Sequence, residues 1–110
     1  MILTIDIGNS NIVFGVHRQD SLVFSARVKT DSLRTDTEHA VLLSNIFALH
    51  GVNTKALTGA AISSVVPNLT SVIKLAVKMI CDIPVLSVGP GVKTGLNIRI
   101  DDPSTLAADL

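Results

Sequence analysis

The chain has 110 residues, 47% of them hydrophobic and 16% charged, with a formal net charge of +0. That suffices for one domain with a real core but not for two, and it is too apolar for a disordered chain. Zero net charge, with no run of like charges, speaks against a nucleic-acid partner, which a basic face would serve. Arg18, Arg27, Lys29 and Arg34 are interleaved with Asp20, Asp31 and Asp36, the pattern of a solvated mixed surface. Cys81 is the only cysteine, which excludes an internal disulfide and a cysteine-built zinc site. It follows an apolar helical pattern and reads as a buried, inert thiol. Met1 leads straight into a strand-like run without a basic leader, and no apolar run is long enough to span a bilayer. A cytoplasmic protein without a membrane partner is expected.

In chain order, Ile2 to Ile7 alternates and is rich in β-branched residues, predicting a strand. Gly8-Asn9-Ser10-Asn11 is a turn cluster and Ile12 to His17 a second strand, close enough to form a hairpin. Gln19-Asp20-Ser21 turns the chain into a third strand, Leu22 to Val28. Thr35 and Glu38 have the spacing of a capping box. Behind them Leu42, Leu43, Ile46, Phe47 and His50 repeat at helical spacing, and Gly51 supplies the stop. Gly59 to Val66 reads as a buried strand. Pro67-Asn68 opens a second helix, to about Cys81, with the apolar stripe Leu69, Val72, Ile73, Ala76, Val77 and Ile80; Lys74 and Lys78 fall on its other face. Pro84 to Val88 is a fifth strand. Gly89-Pro90-Gly91 is a loop, Leu96 to Ile100 suits a short strand, and Asp102-Pro103 has the look of a helix start. The order β-β-β-α-β-α-β predicts an α/β fold, a five-stranded mixed sheet with helices on its faces and the first hairpin central.

The sharpest chemical feature is Asp6-Ile7-Gly8-Asn9-Ser10, at the tip of that hairpin. Glycine in a tight turn lets backbone approach a ligand, and exposed N–H groups can cradle a phosphate. Asn9 and Ser10 add side-chain donors, and Asp6 at a strand end suits a magnesium ion held through water. The same residues also make an ordinary β-turn. Asp6 falls on what reads as the inward side of an apolar strand, where an unpaired carboxylate is costly, and this favours the functional reading. Gly89-Pro90-Gly91-Val92-Lys93-Thr94 invites a nucleotide-loop reading but fails its pattern, since Val92 rather than glycine precedes Lys93-Thr94 and no helix follows. It reads as a rigid connection. His17, His39 and His50 lack metal-ligand spacing, and His39 and His50 read as surface or satisfied histidines. Asp101 and Asp102 read as capping residues; Asp109 lies inside the last predicted helix and has no such role.

Taken together, these segments resemble the type III pantothenate kinases. Asp6-Ile7-Gly8-Asn9-Ser10-Asn11 matches that family's first phosphate motif, usually Asp-x-Gly-Asn-Thr. The resemblance continues through Lys29-Thr30-Asp31, Ser63-Ser64-Val65-Val66-Pro67, Val88-Gly89-Pro90-Gly91-Val92-Lys93-Thr94-Gly95-Leu96-Asn97-Ile98, Asp102-Pro103 and Ala107-Ala108-Asp109-Leu110. The first motif is shared across actin-like kinases; the serine-rich and Gly-Pro-Gly segments make the resemblance specific. It implies a ribonuclease-H-like, actin-like ATPase fold and ATP-dependent phosphorylation of pantothenate to 4'-phosphopantothenate, the first step of coenzyme A biosynthesis. It also implies Mg2+, a monovalent cation (K+ or NH4+) and a homodimer. By motif, Asp6, Ile7, Gly8, Asn9, Ser10, Asn11, Ile12 and Val13 would bind ATP. Ala107, Ala108, Asp109 and Leu110 would meet the substrate, with Asp109 as general base.

Two departures stand out. The family's substrate motif is Gly-Ala-Asp-Arg, so Ala107 replaces a glycine and Leu110 an arginine that could pair with a carboxylate. The family also carries a second half with another phosphate motif, the monovalent-cation site and the adenosine contacts. Residues 1–110 therefore read as a first domain truncated at its C-terminal end, inactive on its own. A non-catalytic accessory protein of the same fold is the alternative.

Overall fold

The computed structural model describes residues 1–89. Expectations for residues 90–110 (the loop through Thr94, the short strand, the last helix and its Ala107-Ala108-Asp109-Leu110 motif) lie outside the described residues. The elements are β1 (Ile2–Ile7), β2 (Asn11–Arg18), β3 (Ser21–Lys29), α1 (Asp36–Leu49), β4 (Gly59–Ser64), α2 (Pro67–Ile80) and β5 (Val85–Val88). This is the expected order, with one addition. A short 3-10 turn at Thr54–Ala56 precedes β4, started by Asn53, whose side chain accepts from the Lys55 N–H at 2.9 Å.

The strand order is β3-β2-β1-β4-β5. β1 pairs antiparallel with β2 and parallel with β4, and β4 pairs parallel with β5. Register fixes the faces. Leu3, Ile5 and Ile7 lie opposite Val16, Phe14 and Ile12, and beside Ala60, Ile62 and Ser64. With Phe24, the apolar members of this face join Leu43, Ile46 and Phe47 of α1 and Leu69, Ile73 and Val77 of α2 in one buried core. Each fully buried Leu, Ile, Val or Phe contributes roughly 1.5–3 kcal/mol relative to exposure, so this layer is the main stabilising contact of the domain.

Local chemistry sets the helix limits. The capping box forms as read: the Glu38 N–H donates to Thr35 Oγ1 at 3.2 Å, and the Thr35 N–H to Glu38 Oε1 at 2.9 Å. At the other end Gly51 adopts φ 68°, the left-handed conformation that glycine tolerates. Pro67 opens α2, and Leu69, Ile73, Ala76 and Val77 are buried while Val72 and Ile80 are partly so. His50 is exposed and stacks on Phe24 with centroids 4.3 Å apart; Phe24 in turn meets Phe47 edge-on at 5.4 Å. Cys81 is half-buried rather than buried. Its thiol donates to the Val77 carbonyl at 3.4 Å, and burial, then Asp82, pushes its pKa up. That keeps it a thiol rather than a reactive thiolate.

Two expectations are corrected. Asp6 is exposed, on the sheet face turned away from the helices. Because successive residues of a strand point to opposite faces, Ile5 and Ile7 take the inward positions and Asp6 cannot. Apolar residues at both parities, Ile2 as well as Leu3, hid that choice. His39, expected on the surface or satisfied, is 2% exposed, and neither ring nitrogen has a hydrogen-bond partner. Burial, then the Arg34 charge, lowers its pKa against the opposing pull of Glu38 and Asp31. His17, half-buried with Nε2 3.1 Å from Thr4 Oγ1, is lowered by burial as well.

A depressed histidine pKa means the unfolded chain binds the proton more tightly. Stability is therefore complete above the unfolded value of 6.5 and falls as pH drops from there toward the folded pKa. His39→Leu removes a buried unsatisfied group and is expected to stabilise by about 1–3 kcal/mol. The gain should be larger at about pH 5 than at about pH 8, with His17 leaving a residual acid sensitivity. Urea unfolding at both pH values measures this; a loss of stability at both would mean that the imidazole is making a favourable contact.

Candidate functional site

Parallel pairing brings the carboxyl ends of β1, β4 and β5 to one edge of the sheet, the edge where ligands bind in open α/β sheets. The Val65 N–H donates to the Ile7 carbonyl at 3.0 Å, carrying the β1–β4 ladder one step further. Ser63 Oγ donates to the Gly89 carbonyl at 3.4 Å, joining the ends of β4 and β5. Ser64 is spent locally: its hydroxyl accepts from the Val66 N–H and donates to the Val66 carbonyl, both at 3.0 Å, shaping the entry to α2.

The Gly8-Asn9-Ser10 turn lies at this edge. Asn9, Ser10 and Asn11 are exposed and Gly8 partly so, while Ile7 and Ile12 are buried and Val13 half-buried. Ile7 and Ile12 thus anchor the hairpin to the core, and the turn projects from it. The Gly8 N–H donates to the Asn11 carbonyl at 2.9 Å, so this N–H is not offered to a ligand. Gly8 has no positive φ. Its requirement is space, since an added Cβ would stand 3.0 Å from the Asn11 carbonyl oxygen. The carbonyls of Gly8 and Ser10 are held by the residue just after β3: Thr30 Oγ1 donates to the first at 2.8 Å and the Thr30 N–H to the second at 2.9 Å. Among the described residues the Asn9 and Ser10 side chains make no hydrogen bond within the fold.

On the face away from the helices, one row runs across the sheet at this edge. Arg27 lies opposite Val13, Val13 opposite Asp6, Asp6 beside Ser63, and Ser63 beside Val88. Among the described residues no group of three or more His, Cys, Asp or Glu side chains gathers, around Asp6 or elsewhere. An exposed carboxylate outside any such group fits Mg2+, which keeps several waters and takes one or two carboxylates with substrate phosphates; it does not fit a cage that would hold a metal alone. Sequence reading passed over the role of Thr30. Its signal was the hairpin arithmetic, since Lys29 falls opposite Asn11 and the next residue must reach the turn. No helix of the described residues is long and apolar enough to cross a membrane.

A five-stranded mixed sheet of this order, open at the carboxyl ends of its parallel strands, is the ribonuclease-H-like, actin-like ATPase fold. A hexokinase of the ROK family from Thermus thermophilus shares it, with a TM-score of 0.56 at 15% identity over 80% of this chain and 34% of that one. RuvC from Thermus thermophilus does too, with a TM-score of 0.51 at 15% identity over 81% of this chain and 63% of that one. Within that fold the chain belongs to the type III pantothenate kinase family, whose sequence profile matches residues 2–110. A curated relative, the type III pantothenate kinase of Geotalea daltonii, is 44% identical over 109 residues. The match covers 99% of this chain and 43% of the relative.

The turn's geometry separates the roles of its residues. Gly8→Ala presses a methyl group on a backbone oxygen and is expected to cost about 1 kcal/mol of stability. Asn9→Ala should stay within about 0.5 kcal/mol of the parent. Chemical denaturation of both variants measures the contrast; an equal loss would make Asn9 a structural residue rather than one presented to a ligand.

Proposed function

We propose that this chain is the first domain of a type III pantothenate kinase and supplies the first phosphate loop and the general base for ATP-dependent phosphorylation of pantothenate. Family membership over residues 2–110 supports the reaction. The observation that carries the loop is the exposed Asn9-Ser10 tip, whose neighbouring carbonyls are tied back into the protein. The Asn9 amide and the Ser10 hydroxyl offer donors that suit the phosphate oxygens of ATP. Ile7, Ile12 and Val13 hold the hairpin; Gly8 leaves room for its closure, and Asn9, Ser10 and Asn11 face the phosphate chain; Asp6 would hold the magnesium of the nucleotide through water. The metal's contribution is to neutralise charge on the phosphates as the γ-phosphoryl group transfers.

Asp109 takes the proton from the pantothenate hydroxyl as its oxygen bonds to the γ-phosphorus and the bond to the leaving ADP breaks, with Ala107, Ala108 and Leu110 beside the substrate. The complete enzyme works as a cytoplasmic homodimer. Its second half adds the adenosine contacts and the K+ or NH4+ site, and its product enters coenzyme A biosynthesis.

In the complete protein Asp109→Asn is expected to lower kcat on the order of 10²–10⁴-fold while ATP binding survives. Leu110→Arg restores a partner for the substrate carboxylate, and KM for pantothenate should fall by about tenfold or more. Steady-state kinetics decide. Undiminished turnover by Asp109→Asn rules out this base, and an unchanged KM in Leu110→Arg means that other residues recognise the acid.

A further inference from the structure

We infer that Thr30 is a positioning residue for nucleotide binding, acting through the turn it holds rather than by touching the ligand. The inference rests on reading Gly8-Asn9-Ser10 as a phosphate loop. A tight turn carries carbonyl oxygens as well as N–H groups, and a carbonyl swung toward the mouth repels phosphate. Here the oxygens of Gly8 and Ser10 are both engaged by the single residue Thr30, through its side chain at 2.8 Å and its backbone at 2.9 Å. The Asn11 oxygen is engaged by the Gly8 N–H. With these acceptors drawn inward, the tip meets a ligand with the exposed Asn9 and Ser10.

Thr30 is itself well placed for this task. Pairing of β3 with β2 sets Lys29 opposite Asn11, so the following residue lies across from the turn by register alone. The chain beyond is fixed: Asp31 Oδ1 accepts from the Leu33 N–H at 3.0 Å, its carbonyl from the Arg34 N–H at 3.3 Å, and Arg34 Nη1 donates to the Lys29 carbonyl at 3.4 Å. Thr30 is half-buried, and its β-branched side chain is stiff at χ1. The hydroxyl is therefore held toward Gly8 at little entropic cost. The sequence motif Lys29-Thr30-Asp31 acquires a physical role: Asp31 braces the loop and Thr30 braces the turn.

The test compares Thr30→Val, which keeps shape and loses the hydroxyl, with Thr30→Ser, which keeps the hydroxyl, in the complete protein. Nucleotide affinity is read by calorimetric titration with a non-hydrolysable ATP analogue and magnesium, beside steady-state kinetics and thermal melting. Thr30→Val is expected to weaken analogue binding and raise KM for ATP about three- to tenfold, with KM for pantothenate unchanged, and Thr30→Ser to restore both. Parental analogue affinity in Thr30→Val overturns the inference even if the melting temperature falls, because the residue would then be structural only. Failure of Thr30→Ser to restore affinity also overturns it. If the parent binds the analogue but does not phosphorylate pantothenate, the kinase assignment falls, and the affinity comparison still decides the role of Thr30. If the parent binds no nucleotide, both fall.

Discussion

The two-sided pairing of β1 is the constraint on which the rest depends. Antiparallel pairing with β2 needs only a tight turn, whereas parallel pairing with β4 needs a long crossover, which the chain makes through β3 and α1. A second crossover, through α2, adds β5 beside β4. The hairpin turn and the ends of β4 and β5 are thereby brought to one edge although they are far apart in sequence. Register is locked by burial: Leu3, Ile5 and Ile7 are all 0% exposed. A one-residue slip would put Thr4 and Asp6 among the helices, and Asp6 would then be a buried unpaired charge.

What was legible in the sequence was what local chemistry controls. Thr35 and Glu38 cap α1 because both partners lie within one helical turn, and Gly51 ends it because only glycine takes that φ at little cost. Pro67 starts α2 for an equally local reason. The face of Asp6 was not legible. Ile2, Leu3, Ile5 and Ile7 give β1 apolar residues at both parities, so alternation alone does not say which set meets the helices. Only the partners of β1 settle it. The 3-10 turn at Thr54–Ala56 was missed because it is too short for periodicity to reveal, and Asn53 was its sole signal.

The candidate site was legible as composition but not as mechanics. Asn, Gly and Ser mark a turn in any protein, and the usual explanation for glycine, a positive φ, does not apply to Gly8. Its constraint is the neighbouring Asn11 carbonyl, which depends on how the hairpin closes. The bond from Thr30 to Gly8 spans 22 residues, and no local window contains it. His39 is the converse case. Its place in α1 was read correctly, but burial of both ring nitrogens follows from tertiary packing that a helical repeat does not specify.

Electrostatics at this edge differ between the two helix ends. The start of α1 carries Asp36 and Glu38 in its first turn and is capped by its own side chains, so its positive dipole end is largely answered. The start of α2 has no acidic residue in its first turn and no side-chain cap, and Ser64 is committed to Val66. It follows β4 directly into the edge occupied by the Gly8-Asn9-Ser10 turn. Asp6 lies on the sheet face opposite the helices, so this carboxylate and the start of α2 reach the edge from different sides. The edge therefore presents an uncapped helix start from one side of the sheet and the Asp6 carboxylate from the other.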